Sequence, residues 1–292
     1  MTDLAEYRPA LLRHCYRMLG SFADAEDLVQ DVLVNALRAR DSYAGDAPLG
    51  HWLMRIATNA CLNELARRKR RGWPALERPP ADGLAAFEML ELTDWITPAP
   101  DAPLGTLEAR ESVALAFIAL LQRLPPRQRA ALLLKDVVGW TADEIAVALE
   151  LTVSSVNSAL HRARETIAMP AAPATREPAP EQVRAYIRSW EEHDVDGLLA
   201  LLRDDITFAM PPYASWFQGR AQLERFLRGP VFTARWAGGF RVEATHANGV
   251  AGFAFYHGGQ RSSLQVVRFA DGGIAEIAAF LGPSYFRGFE VP

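Results

Sequence analysis

Residues 141–168 read TADEIAVALELTVSSVNSALHRARETIA. Thr141 followed three residues later by Glu144 is a capping-box signature, and it opens a short helix that runs to Leu149. Thr152 caps a longer helix that reaches about Ala168. A short helix, a tight three-residue turn and a longer capped helix form the helix-turn-helix layout. At about 100° per residue, Val153, Val156, Leu160, Ala163 and Ile167 of the longer helix fall in one arc of about 80°. Ser154, Asn157, Ser158, His161 and Arg162 fall on the other side. A helix with an apolar back and this polar front suits the DNA major groove, whose base edges are read by such side chains. An ordinary amphipathic surface helix would show the same pattern, so the layout before it carries part of the weight.

The flanking segments are helical as well. Glu108–Leu124 ends at Pro125-Pro126, and Arg127–Val138 ends at Gly139. Residues 3–71 give three more helices. Leu11, Leu12, Cys15, Met18 and Leu19 repeat at helical spacing and stop at Gly20. Ala23–Arg38 follows, with Asp24, Glu26 and Asp27 in its first turn, where the helix dipole favours anions. A Gly/Asp/Pro loop over 43–50 leads into a helix over 51–71 that ends in five consecutive cations, Arg67, Arg68, Lys69, Arg70 and Arg71. Charge runs are usually solvated faces. Tyr43, Trp52 and Asn59 just upstream nevertheless add stacking and amide groups, and aromatics beside cations suit unpaired bases.

Residues 72–107 change character. Six prolines and no sustained periodicity read as a linker, with a short helix over 84–92. Residues 170–178 form a second, Pro/Ala linker. Beyond it the chain mixes helices (183–192, 195–202, 220–227) with strands (206–210, 240–246, 249–256, 264–269, 274–280). Helices followed by an antiparallel sheet indicate an α+β domain.

The chain has 292 residues, enough for two or three domains. Its net charge of −4 argues against a nucleic-acid partner if read globally. By segment, residues 1–72 carry +2, 73–107 carry −5, 108–168 are neutral and 169–292 carry −1, so the acidity sits mainly in the linker. Free duplex binding is therefore expected to be weak, with the linker's charge masking the basic helix. Cys15 and Cys61 lie in apolar helical patterns and read as buried free thiols of a reducing compartment. No apolar run reaches the roughly 18–20 residues of a membrane span, and the N-terminal residues lack a signal-peptide pattern, so a cytoplasmic protein without membrane contact is expected. No metal-ligand spacing is recognisable, and the one cross-hairpin possibility is His246 facing His257.

CYRMLGSFADAEDLVQDVLVNAL (15–37) and SYAGDAPLGHWLMRIATNACLNELARRKRR (42–71) resemble the second conserved region of the extracytoplasmic-function branch of sigma-70 factors. LQRLPPRQRAALLLKDVVGWTADEIAVALELTVSSVNSALHRARE (121–165) resembles their fourth region. The tail from about 179, with MPPYASWFQGR (210–220), resembles SnoaL-like, cone-shaped α+β domains related to nuclear transport factor two. The implied fold class is multidomain: two all-α domains (1–72 and 108–169, joined by linker 73–107) and an α+β domain over 179–292. The resemblance implies core RNA polymerase and promoter DNA as partners, and intramolecular contacts of the tail with the sigma domains. It assigns polymerase docking to Asp24, Glu26, Asp27, Gln30 and Asp31. It assigns −10 contacts to Tyr43, Trp52, Arg55, Asn59, Arg67, Arg68 and Arg70, and −35 reading to Ser154, Asn157, Ser158, His161 and Arg162. Relatives often carry Arg where this chain has Asn157 and Ala159.

The implied function is a transcription initiation factor modulated in cis by its tail, with no cofactor and no chemistry of its own. The alternative is a DNA-tethered small-molecule sensor or an isomerase- or cyclase-like enzyme. Its acid/base candidates are Asp205, His193, His246, Tyr256 and His257. The tail's inward apolar set includes Tyr213, Phe217, Phe253 and Phe255, and Trp190, Phe208, Met210, Trp216 and Tyr256 form a candidate ligand pocket.

Overall fold

Gly20 takes a left-handed conformation (φ +68°) and closes helix α1 (Arg8–Leu19) with a bond from its N–H to the Tyr16 carbonyl. Ser21 caps α2 (Phe22–Arg38), its hydroxyl accepting from the Asp24 amide at 3.3 Å. Pro48 sets the entry to α3 (Leu49–Arg67). The apolar faces of the three helices, including Leu12, Cys15, Tyr16, Val29, Leu53 and Cys61, make a fully buried core. The computed structural model describes residues 4–39, 43, 45, 47–68, 70–82, 95–104, 114–167, 175–231 and 239–290.

The chain divides into two units, Met1–Arg71 with Ala102–Pro170, and Gly72–Asp101 with Ala171–Pro292. In the first, α4 (Leu115–Arg123) and α5 (Pro126–Leu132) pack on α1–α3. Gln122 lies against Gly20 and its amide donates to the Arg17 carbonyl at 3.1 Å. The buried Arg129 guanidinium donates to the Met18 carbonyl, to Gln122 Oε1 (2.5 Å) and to the Gln122 and Leu124 carbonyls (3.2 and 3.1 Å). Burial pulls its pKa down to about 10, so it remains a cation that binds only neutral acceptors here. A wide turn over Leu133–Val137 extends α5 to Gly139 (φ +85°). The capping box forms at α6 (Ala142–Leu149): the Thr141 amide donates to Glu144 Oε2 at 2.7 Å, and the Glu144 amide donates to Thr141 Oγ1 at 3.2 Å. Glu150 (φ +54°) turns the chain into α7 (Val153–Ile167).

The second unit is a six-stranded sheet in the order β2-β1-β6-β5-β4-β3. Its strands are β1 (Leu202–Ala209), β2 (Trp216–Gln218), β3 (Arg241–Ala247), β4 (Val250–His257), β5 (Gln260–Ala270) and β6 (Gly273–Leu281). Helices α8 (Pro180–Glu191), α9 (Val195–Ala200) and α10 (Arg220–Phe226) supply apolar side chains to its core.

Several expectations change. The sheet is mixed, because β1 runs parallel to β6. Strand β2, of three residues only, is an element that the sequence pattern does not announce. Helix α3 stops at Arg67, since Arg68 turns extended and both Arg68 and Arg71 fold back onto Asp24. Over 72–82 and 95–101 the segment that reads as a linker is a strap belonging to the second unit. The Trp95 indole donates to the Pro212 carbonyl (3.0 Å), and the Trp216 indole donates to the Arg78 carbonyl (2.8 Å). Asn248 accepts from the Ala99 amide (2.9 Å) and returns its own N–H to the Ala99 carbonyl (3.0 Å). The Gly249 amide donates to Asp101 Oδ1 at 2.9 Å. Trp73, Trp95, Ile96 and Ala99 are buried there. The helices expected over 84–92 and 108–113 lie outside the described residues.

Candidate nucleic-acid and polymerase interfaces

Helix α7 buries Val156, Ala159, Leu160 and Ala163 and exposes Ser154, Asn157, Ser158, His161 and Arg162. The buried arc is rotated from the expected one: Val153 is 36% exposed, whereas Ala159 is inside. Of the two positions singled out as departures from the resemblance, Ala159 is thus part of the packed back and Asn157 lies on the exposed face. Thr152 caps the helix through the Ser155 amide at 3.1 Å. Arg164 is anchored bidentately on Asp136 (2.6 and 3.3 Å), which fixes the helix flank beside the polar face.

On α3, Trp52, Arg55 and Asn59 recur at i, i+3 and i+7 and share one face. Tyr43 packs on Trp52 with ring centroids 5.2 Å apart. Tyr43, Trp52 and Arg55 line a cleft of about 500 Å³ whose other wall is Trp140, Glu144 and Val147. His51 stacks near Trp140 (4.9 Å) and lies 3.6 Å from Glu144 across the same cleft. Asn59 faces a second cleft of about 730 Å³, opposite Arg127 and Glu150. The −10 candidates therefore fall into two neighbouring clefts. The basic run is not a continuous rail: Arg67, Arg68 and Arg70 are exposed, but Arg68 pairs with Asp24 and Glu64, and the buried Arg71 also pairs with Asp24.

The polymerase candidates on α2 divide similarly. Asp24 is held by those two arginines, and Glu26 pairs with Arg8 at 3.1 Å. Asp27, Gln30 and Asp31 are exposed. Val34 (39%) and Leu37 (57%) continue their stripe as exposed apolar groups. Both are absent from the residues that the resemblance assigns, although Val34, three to four residues after Asp31 and Gln30, and Leu37, three after Val34 and seven after Gln30, share that face.

In the second unit, Trp190, Phe208 and Met210 line a cavity of about 250 Å³. Trp216 and Tyr256 do not. Trp216 is turned to the strap, and Tyr256 lies under Arg241, 4.1 Å from its guanidinium, on the side of β4 opposite Phe255. The acid/base candidates also lie elsewhere. Asp205 pairs with Arg203 (2.8 and 3.0 Å), which holds its carboxyl below its ordinary range. His246 is 3.6 Å from Glu177. In the strand registers His246 opposes Ala251 and His257 opposes Gln260, so the two histidines do not face each other. His193 and His257 sit near Phe240 and line no part of the cavity. Both cysteines are buried free thiols, and burial with the adjacent Cys15 pushes Cys61 up. Among the described residues no helix is long and apolar enough to cross a membrane.

Residues 4–71 match the family model for Sigma-70 region 2, residues 114–167 that for Sigma-70, region 4, and residues 183–277 that for the SnoaL-like domain. The ECF RNA polymerase sigma factor SigG of Mycobacterium tuberculosis is 39% identical over 310 residues, covering 98% of this chain and 82% of its own. The chain belongs to the ECF sigma factors. The sigma-E factor of Escherichia coli is 31% identical over 144 residues, covering 49% of this sigma factor and 72% of its own length. The crystal structure of SigJ from M. tuberculosis shares the fold, with a TM-score of 0.61 over 99% of this chain and all of that one, at 21% identity. The role of this ECF sigma factor is to direct transcription initiation.

Proposed function

We propose that this sigma factor joins core RNA polymerase through the α2 stripe of Asp27, Gln30 and Asp31, with Asp24 and Glu26 beside it. It reads the −35 element with Ser154, Asn157, Ser158, His161 and Arg162. It opens the −10 element with Tyr43, Trp52, Arg55 and Asn59, supported by Arg67, Arg68 and Arg70. Taking a base out of the stack costs a few kcal/mol, which a stacking and hydrogen-bonding pocket offsets. The functional segments are 1–72, 108–169 and 179–292. The protein does no chemistry itself and works in the cytoplasm.

One observation carries the regulatory part of this reading: the connection between the two sigma regions is bonded into the SnoaL-like unit over 72–82 and 95–101. Whatever loosens that strap changes how far the two sigma regions can separate, so the tail acts in cis.

The test is in vitro transcription with core polymerase on randomised promoters, comparing the full chain with a form lacking residues 170–292. The two must differ in activity or promoter choice; identical profiles refute cis control. A gel shift with and without core polymerase tests the initiation role. Specific promoter binding is expected only with polymerase, and equal specific binding by the free chain would favour the DNA-tethered sensor. Asn59→Ala should impair promoter opening more than docking, and equal loss of both removes its assigned role.

A further inference from the structure

The cavity in the SnoaL-like unit has a polarity that the sigma function does not use. Trp190, Phe208, Met210, Phe226, Phe240 and Phe255 form an apolar wall. The opposite lining is a row of uncharged polar groups from one strand, Ser262, Ser263 and Gln265. Alternation on β5 places Ser263 and Gln265 on one face. Ser262 joins them because the β4–β5 register slips there: Phe255 opposes Ser263 and Tyr256 opposes Arg261, leaving Ser262 as the extra residue of a bulge. Bulges re-aim side chains in this way.

Gln265 is 3% exposed and its amide is oriented by Tyr186. Burial pushes the Tyr186 hydroxyl well up, so it stays protonated, and it donates to Gln265 Oε1. That leaves Nε2 as the polar atom Gln265 offers to the cavity, a donor with no protein acceptor among the described residues. Among the described lining residues there is no carboxylate, imidazole, ammonium or guanidinium. The lining therefore provides no charge compensation for an anion.

We propose that this cavity is a receptor site for a neutral, ring-bearing small molecule carrying one carbonyl-type acceptor, which is held by Gln265 Nε2 beside Ser263. An apolar cavity of about 150 Å³ holds benzene, so 250 Å³ admits roughly ten non-hydrogen atoms. The site also adjoins the strap. Phe208, Met210 and Tyr213 line the cavity, and the same stretch of chain binds Trp95 at Pro212 and binds Arg78 and Ala81 at Trp216. An occupant pressing on this wall bears on the contacts that hold residues 72–101.

The test is direct binding to the full chain without polymerase, so its outcome is separate from that of the promoter reading. The probes are 1-indanone, its hydrocarbon indane, and benzoate, measured by calorimetry and ligand-observed NMR. Indanone should bind saturably, with a dissociation constant of about a millimolar or below. Indane should bind about three- to tenfold more weakly, the worth of one hydrogen bond. Benzoate should not bind. Ala279→Leu, which fills the cavity, should abolish both interactions. Tyr186→Phe with Gln265→Leu removes both partners of that buried bond together, so neither is left without the other. It should keep indane binding and erase the preference for indanone, and it decides the matter should Ala279→Leu fail to fold. Absence of saturable indanone binding, benzoate binding as well as indanone, or a preference that survives the double variant overturns the proposal.

Discussion

His14 makes the stability of the sigma unit depend on pH with a sign and size that the structure sets. The ring is buried between α1 and α3, with Nε2 2.9 Å from Thr58 Oγ1. Thr58 donates its own proton to the Met54 carbonyl (2.7 Å), so it accepts from His14 Nε2–H. Nδ1 then faces the interior with no hydrogen-bond partner among the described residues, and a proton there would be unsolvated. Burial, followed by the nearby Arg17 charge, lowers the His14 pKa from 6.5 to about 3. The unfolded chain therefore binds a proton that the folded chain does not between those values. Stability contributed by neutral His14 is fully present above 6.5 and is lost as pH falls toward 3. Between pH 7 and pH 5 this amounts to about 2 kcal/mol, and the figure scarcely depends on the folded value as long as that stays below 4. The chain's two cysteines, Cys15 and Cys61, are both buried in this same helical core, so thiol trapping by a pyridyl disulfide across a urea series reports its unfolding. The wild type should lose about 2 kcal/mol more than His14→Asn over that pH interval. Parallel losses in the two proteins would refute the assignment, because every other titrating group is common to both.

Three further outcomes are expected. Gly20→Ala combines a left-handed φ of +68° with a Cβ 3.0 Å from the Gln122 side chain, and should cost about 1–2 kcal/mol in the same thiol-trapping assay. Asn248→Gly keeps the left-handed backbone (φ +53°) but removes the acceptor of the Ala99 amide. Hydrogen exchange over 95–101 should then rise about tenfold, the equivalent of one buried bond, and an unchanged rate would detach Asn248 from the strap. Arg162→Ala should lower the dependence of transcription on the −35 sequence, and a promoter response equal to wild type would remove its reading role.

Much of the fold was legible because its signals are local. Gly20, Gly139 and the Thr141–Glu144 box mark helix ends through backbone chemistry that needs no partner. What was not legible depends on distant partners. Which arc of α7 is buried follows from where α4 and α5 lie, so Ala159 and Val153 exchanged roles. The parallel β1–β6 pair joins residues about seventy apart. Trp216 and Tyr256 were misassigned despite a usable cue: Phe217 and Phe255 point inward, and in a strand their immediate neighbours point the other way. The strap reads as a linker because prolines suppress periodicity. Two tryptophans and an isoleucine in such a segment were the sign that it is buried against something.

The opening paradox of charge has its answer in Asp24. The linker's acidity reads as a mask for the basic run, yet two of its acids are engaged within the second unit: Asp101 holds the Gly249 amide and Asp82 lies 3.9 Å from Arg225. Asp24 binds Arg68 and Arg71 together, and Glu64 pairs with Arg68 as well. On the proposed assignment, one residue both docks on polymerase and withholds two cations from DNA. Engagement of Asp24 by polymerase would free those cations where the −10 strand arrives, and the free chain would bind duplex weakly. Asp24→Asn should reproduce the released state without polymerase. Duplex affinity measured by fluorescence anisotropy should rise at low salt, and the slope of log affinity against log salt should steepen by about one to two, one for each phosphate newly neutralised. An unchanged slope would mean that Arg68 and Arg71 are structural partners of α2 and take no part in binding DNA.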